Sequence, residues 1–163
     1  MYKDTRSFIE VVKQDKPKAY ARIKGSRIYK EIQGTILFYE VPGGVIVYVE
    51  VCGLPTDGSL WGSMIHGFHI HEGKSCTGDD EDPFKDAGDH YNPTNRPHPY
   101  HAGDLPPLFG NNGYSWTVFA TNRFTVDEVI GRAVIIHKRP DDFTTQPSGN
   151  AGERIACGVI KYS

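Results

Sequence analysis

The chain has 163 residues, 38% of them hydrophobic and 12% aromatic, which is enough for one domain with a buried core. Its formal net charge of −2 gives no bulk attraction to nucleic acid or to an anionic membrane surface, so neither is an expected partner. No apolar run approaches the roughly 18 residues that a membrane-spanning helix needs.

The compartment is ambiguous from the sequence. The first residues lack the apolar run of a secretory signal, which predicts a cytoplasmic protein as the sequence is written. The alternative is a secreted or cell-envelope protein from which a leader has been removed. Three cysteines leave one unpaired if a disulfide forms, and a disulfide favours an oxidising compartment.

Alternating polar and apolar residues predict antiparallel strands from residue 19 onward. We interpret residues 1–18 as an N-terminal arm that can add an edge strand, and residues 19–163 as the domain. The strands are expected at residues 19–24, 34–40, 45–51, 64–71, 114–120 and 132–137. One short helix is predicted at residues 125–131, where Thr125 and Glu128 can form a capping box.

Two stretches, at about residues 72–107 and 138–152, are rich in Gly, Pro and Asp and do not alternate. Long irregular segments in a compact domain are usually functional. The pattern therefore predicts a small antiparallel sandwich or barrel whose long loops carry the chemistry.

The seven histidines all lie between residues 66 and 137. His69 and His71 are two apart on a predicted strand, so their side chains project from one face and can hold one metal. His66 has the opposite parity, and we interpret it as a hydrogen-bonded structural histidine. His137 ends an apolar run and would complete a cluster with His69, His71 and any loop histidine that reached them. Imidazole ligands suit copper as well as zinc.

A second group of candidate ligands lies on the first long loop. It consists of His90, His98, His101 and Asp104. Three nitrogens and one oxygen make a plausible closed tetrahedral zinc site, and a metal cross-link can offset the entropy of ordering a loop. The alternative interpretation is a polar surface loop with unrelated histidines.

Several segments, in one order, resemble the motifs of the copper/zinc superoxide dismutase family, and its bacterial branch in particular. They are GFHIHE at 67–72, HYNP at 90–93, AGDLP at 102–106, GRAVIIH at 131–137 and GNAGERIACGVI at 149–160. The resemblance covers about residues 19–160. It implies an all-β, Greek-key antiparallel β-barrel or sandwich of immunoglobulin-like type, with about eight strands and two long functional loops.

The resemblance also implies which side chains hold the metals. Copper would be held by His69, His71, His90 and His137, and zinc by His90, His98, His101 and Asp104. His90 would bridge the two metals and take part in catalysis together with the substrate-guiding Arg154. Asp141 would link a copper ligand, His69, to a zinc ligand, His98.

The same resemblance implies roles for the cysteines. Cys76 and Cys157 match the intrachain disulfide of the family, which leaves Cys52 unpaired. We expect Cys52 to be a small buried hydrophobic residue.

The implied function is that of an oxidoreductase that converts superoxide to oxygen and hydrogen peroxide, as a monomer or a homodimer. The main alternative is a zinc-binding member of the family without copper activity, but such proteins usually lack a copper ligand, and all four are present here. A copper chaperone would be expected to carry cysteine-rich motifs, and this chain has no Cys-x-x-Cys. A zinc hydrolase would need an open zinc position, which a four-ligand set does not leave.

Overall fold

The computed structural model describes residues 6–58 and 64–163. Over these residues it contains nine strands, two short α-helices and one turn of 3-10 helix at Lys85–Ala87. In chain order the elements are α1 (Phe8–Gln14), β1 (Ala19–Gly25), β2 (Gln33–Val41), β3 (Gly44–Cys52), β4 (Ile65–His66), β5 (Phe68–Ile70), β6 (Leu108–Phe109), β7 (Ser115–Thr121), α2 (Val126–Val129), β8 (Ala133–His137) and β9 (Arg154–Tyr162). The prediction of a mostly antiparallel β protein is confirmed.

Seven of the strands form one antiparallel sheet in the order β5-β8-β9-β1-β2-β3-β7, and β4 pairs with β6 in a small second sheet. In β1 alternation places one face in the core: Ala19, Ala21 and Ile23 are buried while Arg22 and Lys24 are exposed. In β5 and β8 every residue is buried. The core contains large buried side chains from most of the strands, including Ile23, Ile36, Phe38, Phe68, Ile136, Ile155 and Ile160.

The strand predicted at residues 64–71 is divided at Gly67. The Gly67 N–H donates a hydrogen bond to the Arg139 carbonyl instead of continuing a ladder, and a side chain at this position would collide with Ala151. The interruption lets β4 pair with β6 while β5 pairs with β8. The two histidines that follow Gly67 therefore lie on the large sheet.

The N-terminal arm does not add an edge strand in the described residues, and that part of the prediction is wrong. Its residues 1–5 lie outside the described part of the chain. Ser7 and Glu10 form a capping box, which starts α1. Val11 is buried against Tyr39 and Ile46, so the helix packs on the sheet at β2 and β3. The short helix predicted at residues 125–131 is confirmed as α2, with its capping box at Thr125 and Glu128.

The two long loops return to the large sheet near β5. Residues 72–107 come back through antiparallel pairing of His71 with His90 and of His69 with Asp104. The later loop closes where the Lys138 N–H donates to Glu153 and the Arg139 N–H donates to Ala151. In the described ranges, no helix is long and apolar enough to cross a membrane.

Candidate metal centre

Neighbouring strands bring together three of the four histidines that lie outside the long loops. His69 pairs across the sheet with Ile135, while Phe68 and Ile70 on either side of it enter the core. Just beyond β5, the His71 N–H donates to Ala133. The His137 N–H donates to Gly67 at the end of β8. This backbone pairing fixes three imidazoles on one side of the sheet, and all three are buried.

His90, from the first long loop, completes a group of four imidazoles. One ligand atom from each of four residues lies within 4.8 Å of the others, and the residues are His69, His71, His90 and His137. Within this group the Nε2 atoms of His71 and His137 are 3.4 Å apart. The rings of His69 and His90 have centroids 4.0 Å apart. Four ring nitrogens therefore converge on one small volume.

A second group shares His90 and gathers around a carboxylate. Its members, His90, His98, His101 and Asp104, also place one ligand atom each within 4.8 Å of the others. The Nδ1 atom of His90 is 2.8 Å from Asp104 Oδ1. The Nδ1 atoms of His98 and His101 lie 3.1 and 3.3 Å from Asp104 Oδ2. The two nitrogens of the His90 ring thus face different groups.

Several ring nitrogens in both groups are buried and make no well-aligned hydrogen bond, although two of them face Asp104 Oδ2. They are His69 Nδ1, His90 Nε2, His98 Nδ1 and His101 Nδ1. Buried polar atoms are nearly always paired, because an unpaired one loses its bonds to water without replacement. Such nitrogens, converging in two groups, have the arrangement that a metal ion requires. A four-nitrogen set suits copper, and a set of three nitrogens and one oxygen suits zinc.

Burial keeps three imidazoles of the first group neutral, those of His69, His71 and His137. It lowers the pKa of His69 to about 4 and that of His137 to about 3. The pKa of His71 is also well below its usual value, mainly because of burial and also because of its neighbouring histidines. A neutral imidazole keeps a lone pair for a metal, so this group is competent to bind one at neutral pH.

Asp104 remains ionised although it is buried. Burial alone would raise the pKa of this carboxyl group, but the hydrogen bond from His90 and the charges of the surrounding histidines lower it overall. An anionic oxygen among three nitrogens reduces the positive charge that a divalent ion would bring into the site.

Asp141 contacts one histidine ring from each of the two groups. Its Oδ2 lies 2.7 Å from His69 Nε2, and its Oδ1 lies 2.8 Å from His98 Nε2. The hydrogen bonds outweigh burial and lower the pKa of Asp141 to about 2. Because Nε2 of each ring carries the proton toward Asp141, Nδ1 of His69 and of His98 is the nitrogen left for a metal. Gly149, at a φ of 69°, lies so close to Asp141 that a side chain there would collide with the carboxylate.

Arg154 lies at the edge of the first group. Its Nη2 donates to the Gly88 carbonyl at 2.8 Å, and the same carbonyl accepts a hydrogen bond from His71 Nδ1 at 2.8 Å. A second bond, from Nη1 to the Phe84 carbonyl at 2.9 Å, fixes the guanidinium plane. The positive charge of Arg154 contributes to the lowered pKa of His71 and of His137, after burial. A fixed cation therefore lies next to the neutral imidazoles of His71 and His137.

Comparison with known proteins identifies this arrangement. The family model described as copper/zinc superoxide dismutase (SODC) matches residues 32–160. The chain belongs to the copper/zinc superoxide dismutase family. A copper–zinc superoxide dismutase of Aquifex aeolicus is 35% identical in an alignment of 130 positions that covers 71% of this chain and 72% of that protein. One from Deinococcus radiodurans is 37% identical in an alignment of 133 positions that covers 71% of this chain and 69% of that protein.

A solved structure agrees with the sequence relatives. The Cu/Zn superoxide dismutase from Brucella abortus superposes with a TM-score of 0.73 at 29% identity, covering 88% of this chain and 99% of that one. Membership in the superoxide dismutase family confirms the expected Greek-key β-barrel fold, the oxidoreductase activity toward superoxide, and the use of copper and zinc.

A disulfide joins Cys76 to Cys157, which are 81 residues apart in sequence. It links the first long loop to β9, three residues after Arg154. Phe84 and Ala87 of the loop pack with Cys157, Ala133 and Ile135 in a small apolar cluster beside the bond. The disulfide and this cluster together fix the loop segment whose carbonyls hold Arg154.

Two further residues, His66 and Cys52, belong to neither group of ligands. His66 is fully buried and its Nδ1 lies 2.9 Å from the His137 carbonyl, in agreement with a structural histidine. Cys52 has no disulfide partner, but it is half-buried and lines a surface groove beside Arg22 and Lys24. The expectation of a buried hydrophobic residue is wrong because Cys52 ends β3 with its side chain on the outer face, where Sγ lies 3.6 Å from the Gln33 carbonyl.

The sequence did not indicate three groups that contact this dismutase centre. One is the Gly88 carbonyl between His71 and Arg154. The others are the side chains of Arg123 and Gln146, which bond to backbone atoms of the first long loop. All three involve main-chain carbonyls or amides, which every residue has, so no motif in the chain could have identified them.

Proposed function

We propose that this superoxide dismutase holds copper through His69, His71, His90 and His137, and zinc through His90, His98, His101 and Asp104. The observation that carries the proposal is the convergence of buried, unpartnered ring nitrogens in two groups that share one ring. The nitrogen facing each site follows from the hydrogen bonds of the other ring atom: Nδ1 of His69 toward copper, and Nδ1 of His98 toward zinc.

Copper would supply the change of oxidation state that dismutation needs, while zinc, which has no redox chemistry, would keep the His90 ring in place. The Nε2 atom of His90 is buried and unpartnered beside the first group, so it would bind copper or, when it is not bound to copper, hold a proton. Hydrogen peroxide formation consumes protons, and a ring nitrogen at this position can release one where it is needed.

Arg154 is proposed to bind and orient the superoxide anion. Its guanidinium stays charged at any working pH and offers planar donors. The carbonyls of Phe84 and Gly88 fix its orientation from the loop side. Asp82 lies 3.5 Å from Arg154 Nη1, partly exposed, so the local positive field is smaller than that of an isolated arginine.

A zinc-only role, without copper activity, is not favoured, because all four histidines of the copper set belong to the first group and are buried. We also propose that the protein works in an oxidising compartment. The Cys76–Cys157 disulfide supports this, since such bonds are rare in reducing compartments.

We propose the domain boundary near residue 18, with residues 1–18 as an accessory arm. The first strand of the sheet begins at Ala19, and the arm packs outside the sheet through α1. A chain that begins at residue 19 is expected to keep its metals and its activity.

Reconstitution tests the proposed function. Protein loaded with zinc and then copper should consume superoxide, and His90→Ala should lose activity together with part of its affinity for both metals. A His66→Ala variant is the matched control, because His66 is buried nearby but belongs to neither group. A His90→Ala protein that keeps full activity and normal affinity for both metals would contradict the assignment.

A further inference from the structure

The backbone of His98 is held from both sides by one side chain. Gln146 Oε1 accepts a hydrogen bond from the His98 N–H at 2.9 Å, and Gln146 Nε2 donates to the His98 carbonyl at 2.7 Å. Gln146 lies 48 residues away, on the loop that also carries Asp141. Because Asp141 holds the ring and Gln146 holds the main chain, His98 is fixed at both ends.

A second side chain holds the turn that carries His101 and Asp104. Arg123, just after β7, places Nη1 within 3.0 to 3.2 Å of three carbonyl oxygens, those of Pro99, His101 and Asp104. An arginine guanidinium carries a positive charge and offers several donors in one plane. Bonds with a charged donor are also stronger than bonds between neutral groups.

We propose that Arg123 and Gln146 are positioning residues that preform the zinc half of the centre. The inference rests on the proposed zinc assignment, and it adds residues that contact no ligand side chain of that set. Both act through the main chain: Gln146 sets His98, and Arg123 sets His101 and Asp104. Each belongs to a different segment of the barrel, so the loop is tied to two separate points of the fold.

Arg123 and Gln146 would strengthen zinc binding because they reduce the entropy cost of ordering the loop. An irregular loop loses conformational entropy when a metal collects its ligands, and that loss weakens binding. Bonds that order the loop before the metal arrives remove this cost from the binding step. Removing Arg123 or Gln146 should therefore weaken zinc binding while all four proposed zinc ligands remain in the chain.

The test uses the full chain, in metal-free form with its disulfide intact, and measures binding of zinc and of cobalt(II) as a spectroscopic probe. Gln146→Leu and Arg123→Ala should each weaken zinc affinity by about 10- to 100-fold, as for other residues that support metal ligands from outside. Their cobalt spectra should change, because ligand geometry at the metal is no longer set by the loop. Arg96→Ala, an exposed arginine of the same loop, is the matched control and should bind like the parent.

Conservative variants separate positioning from bulk stability. Gln146→Glu keeps the acceptor for the His98 N–H but loses the donor to its carbonyl, so its zinc affinity should fall between those of the parent and Gln146→Leu. Arg123→Lys keeps a charged donor and should recover part of the loss seen in Arg123→Ala. If Gln146→Leu or Arg123→Ala does not fold, the zinc affinities of Gln146→Glu and Arg123→Lys test the proposal.

Normal zinc affinity and an unchanged cobalt spectrum in Gln146→Leu and Arg123→Ala would overturn the proposal and leave the zinc assignment intact. If either of these does not fold, the same result in Gln146→Glu and Arg123→Lys would overturn it. A parent protein that binds neither zinc nor cobalt would overturn both together. Weakened binding confined to the Arg123 and Gln146 variants, with Arg96→Ala unchanged, would support the proposal.

Discussion

Replacing Asp141 by Asn should damage the zinc site and the metal-free fold by separate, measurable amounts. The Asp141 side chain is 2% exposed, and its oxygens accept from His69, His98 and the Phe143 N–H. An amide offers one acceptor oxygen, so its nitrogen would face an imidazole N–H. A neutral imidazole carries one proton, so relief of this clash moves the proton of His69 or His98 to Nδ1, the atom proposed to bind a metal.

The size of each effect follows from the structure. The pKa of Asp141 falls from 3.8 to about 2 in the folded, metal-free protein. A shift of this size corresponds to roughly 2 to 3 kcal/mol of folding stability at neutral pH. Because the folded pKa is lower than the unfolded one, this stability is present above pH 3.8 and is lost as the pH falls toward 2. Zinc affinity should fall by about 10- to 100-fold.

The assay is urea unfolding of metal-free parent and Asp141→Asn proteins at neutral and at acid pH, together with zinc release to a chelator. Asp142→Asn is the matched control for zinc release, since that exposed carboxylate bonds only to its own turn at Thr144 and Thr145 among the described residues. Equal zinc retention in the parent and Asp141→Asn proteins would refute the bridging role. A stability difference that does not shrink in acid would refute the electrostatic origin of the loss.

Three further predictions concern other parts of the centre. His137→Ala should abolish dismutation and retain zinc, as measured by metal analysis and superoxide consumption; surviving activity would show that the copper assignment is wrong. Arg154→Ile should keep both metals but react more slowly and depend less on ionic strength, because its local charge is gone; identical salt profiles for variant and parent would argue against substrate guidance by Arg154. Cys157→Ser should destabilise the metal-free protein by about 4 kcal/mol in the chain-entropy model, and by less with metals bound. Peptide mapping of unreduced protein should recover Cys76 linked to Cys157, and a linkage through Cys52 would disprove that pairing.

Local patterns predicted the framework because they reflect local physics. Alternation located six strand regions, since a strand with one buried face must alternate. The parity of His69 and His71 correctly indicated that both project from one face, and the capping box at Thr125 located α2. The helix α1 was missed although Ser7 and Glu10 carry the same capping signal, because its β-branched residues Ile9, Val11 and Val12 favour strands and its packing on the sheet is a long-range contact.

Long-range contacts set the features that the sequence could not predict. The break at Gly67 depends on Ala151 and Arg139, which are far away in the chain. The exposure of Cys52 depends on how β3 ends against β2. The contacts of Arg123 and Gln146 are made to main-chain atoms of a loop whose path follows from the closed fold. In each case the contacting residue is far away in sequence and is brought close by the topology of the fold.

The central claim is that two adjoining groups of side chains hold copper and zinc through a shared His90. The most direct test is to measure metal content and superoxide consumption on the same reconstituted sample of the full chain. The account predicts copper and zinc in equal amounts, at one of each per chain, and dismutation that rises in proportion to the copper bound. A protein that takes up zinc alone, or that binds both metals in these amounts without consuming superoxide, would contradict it.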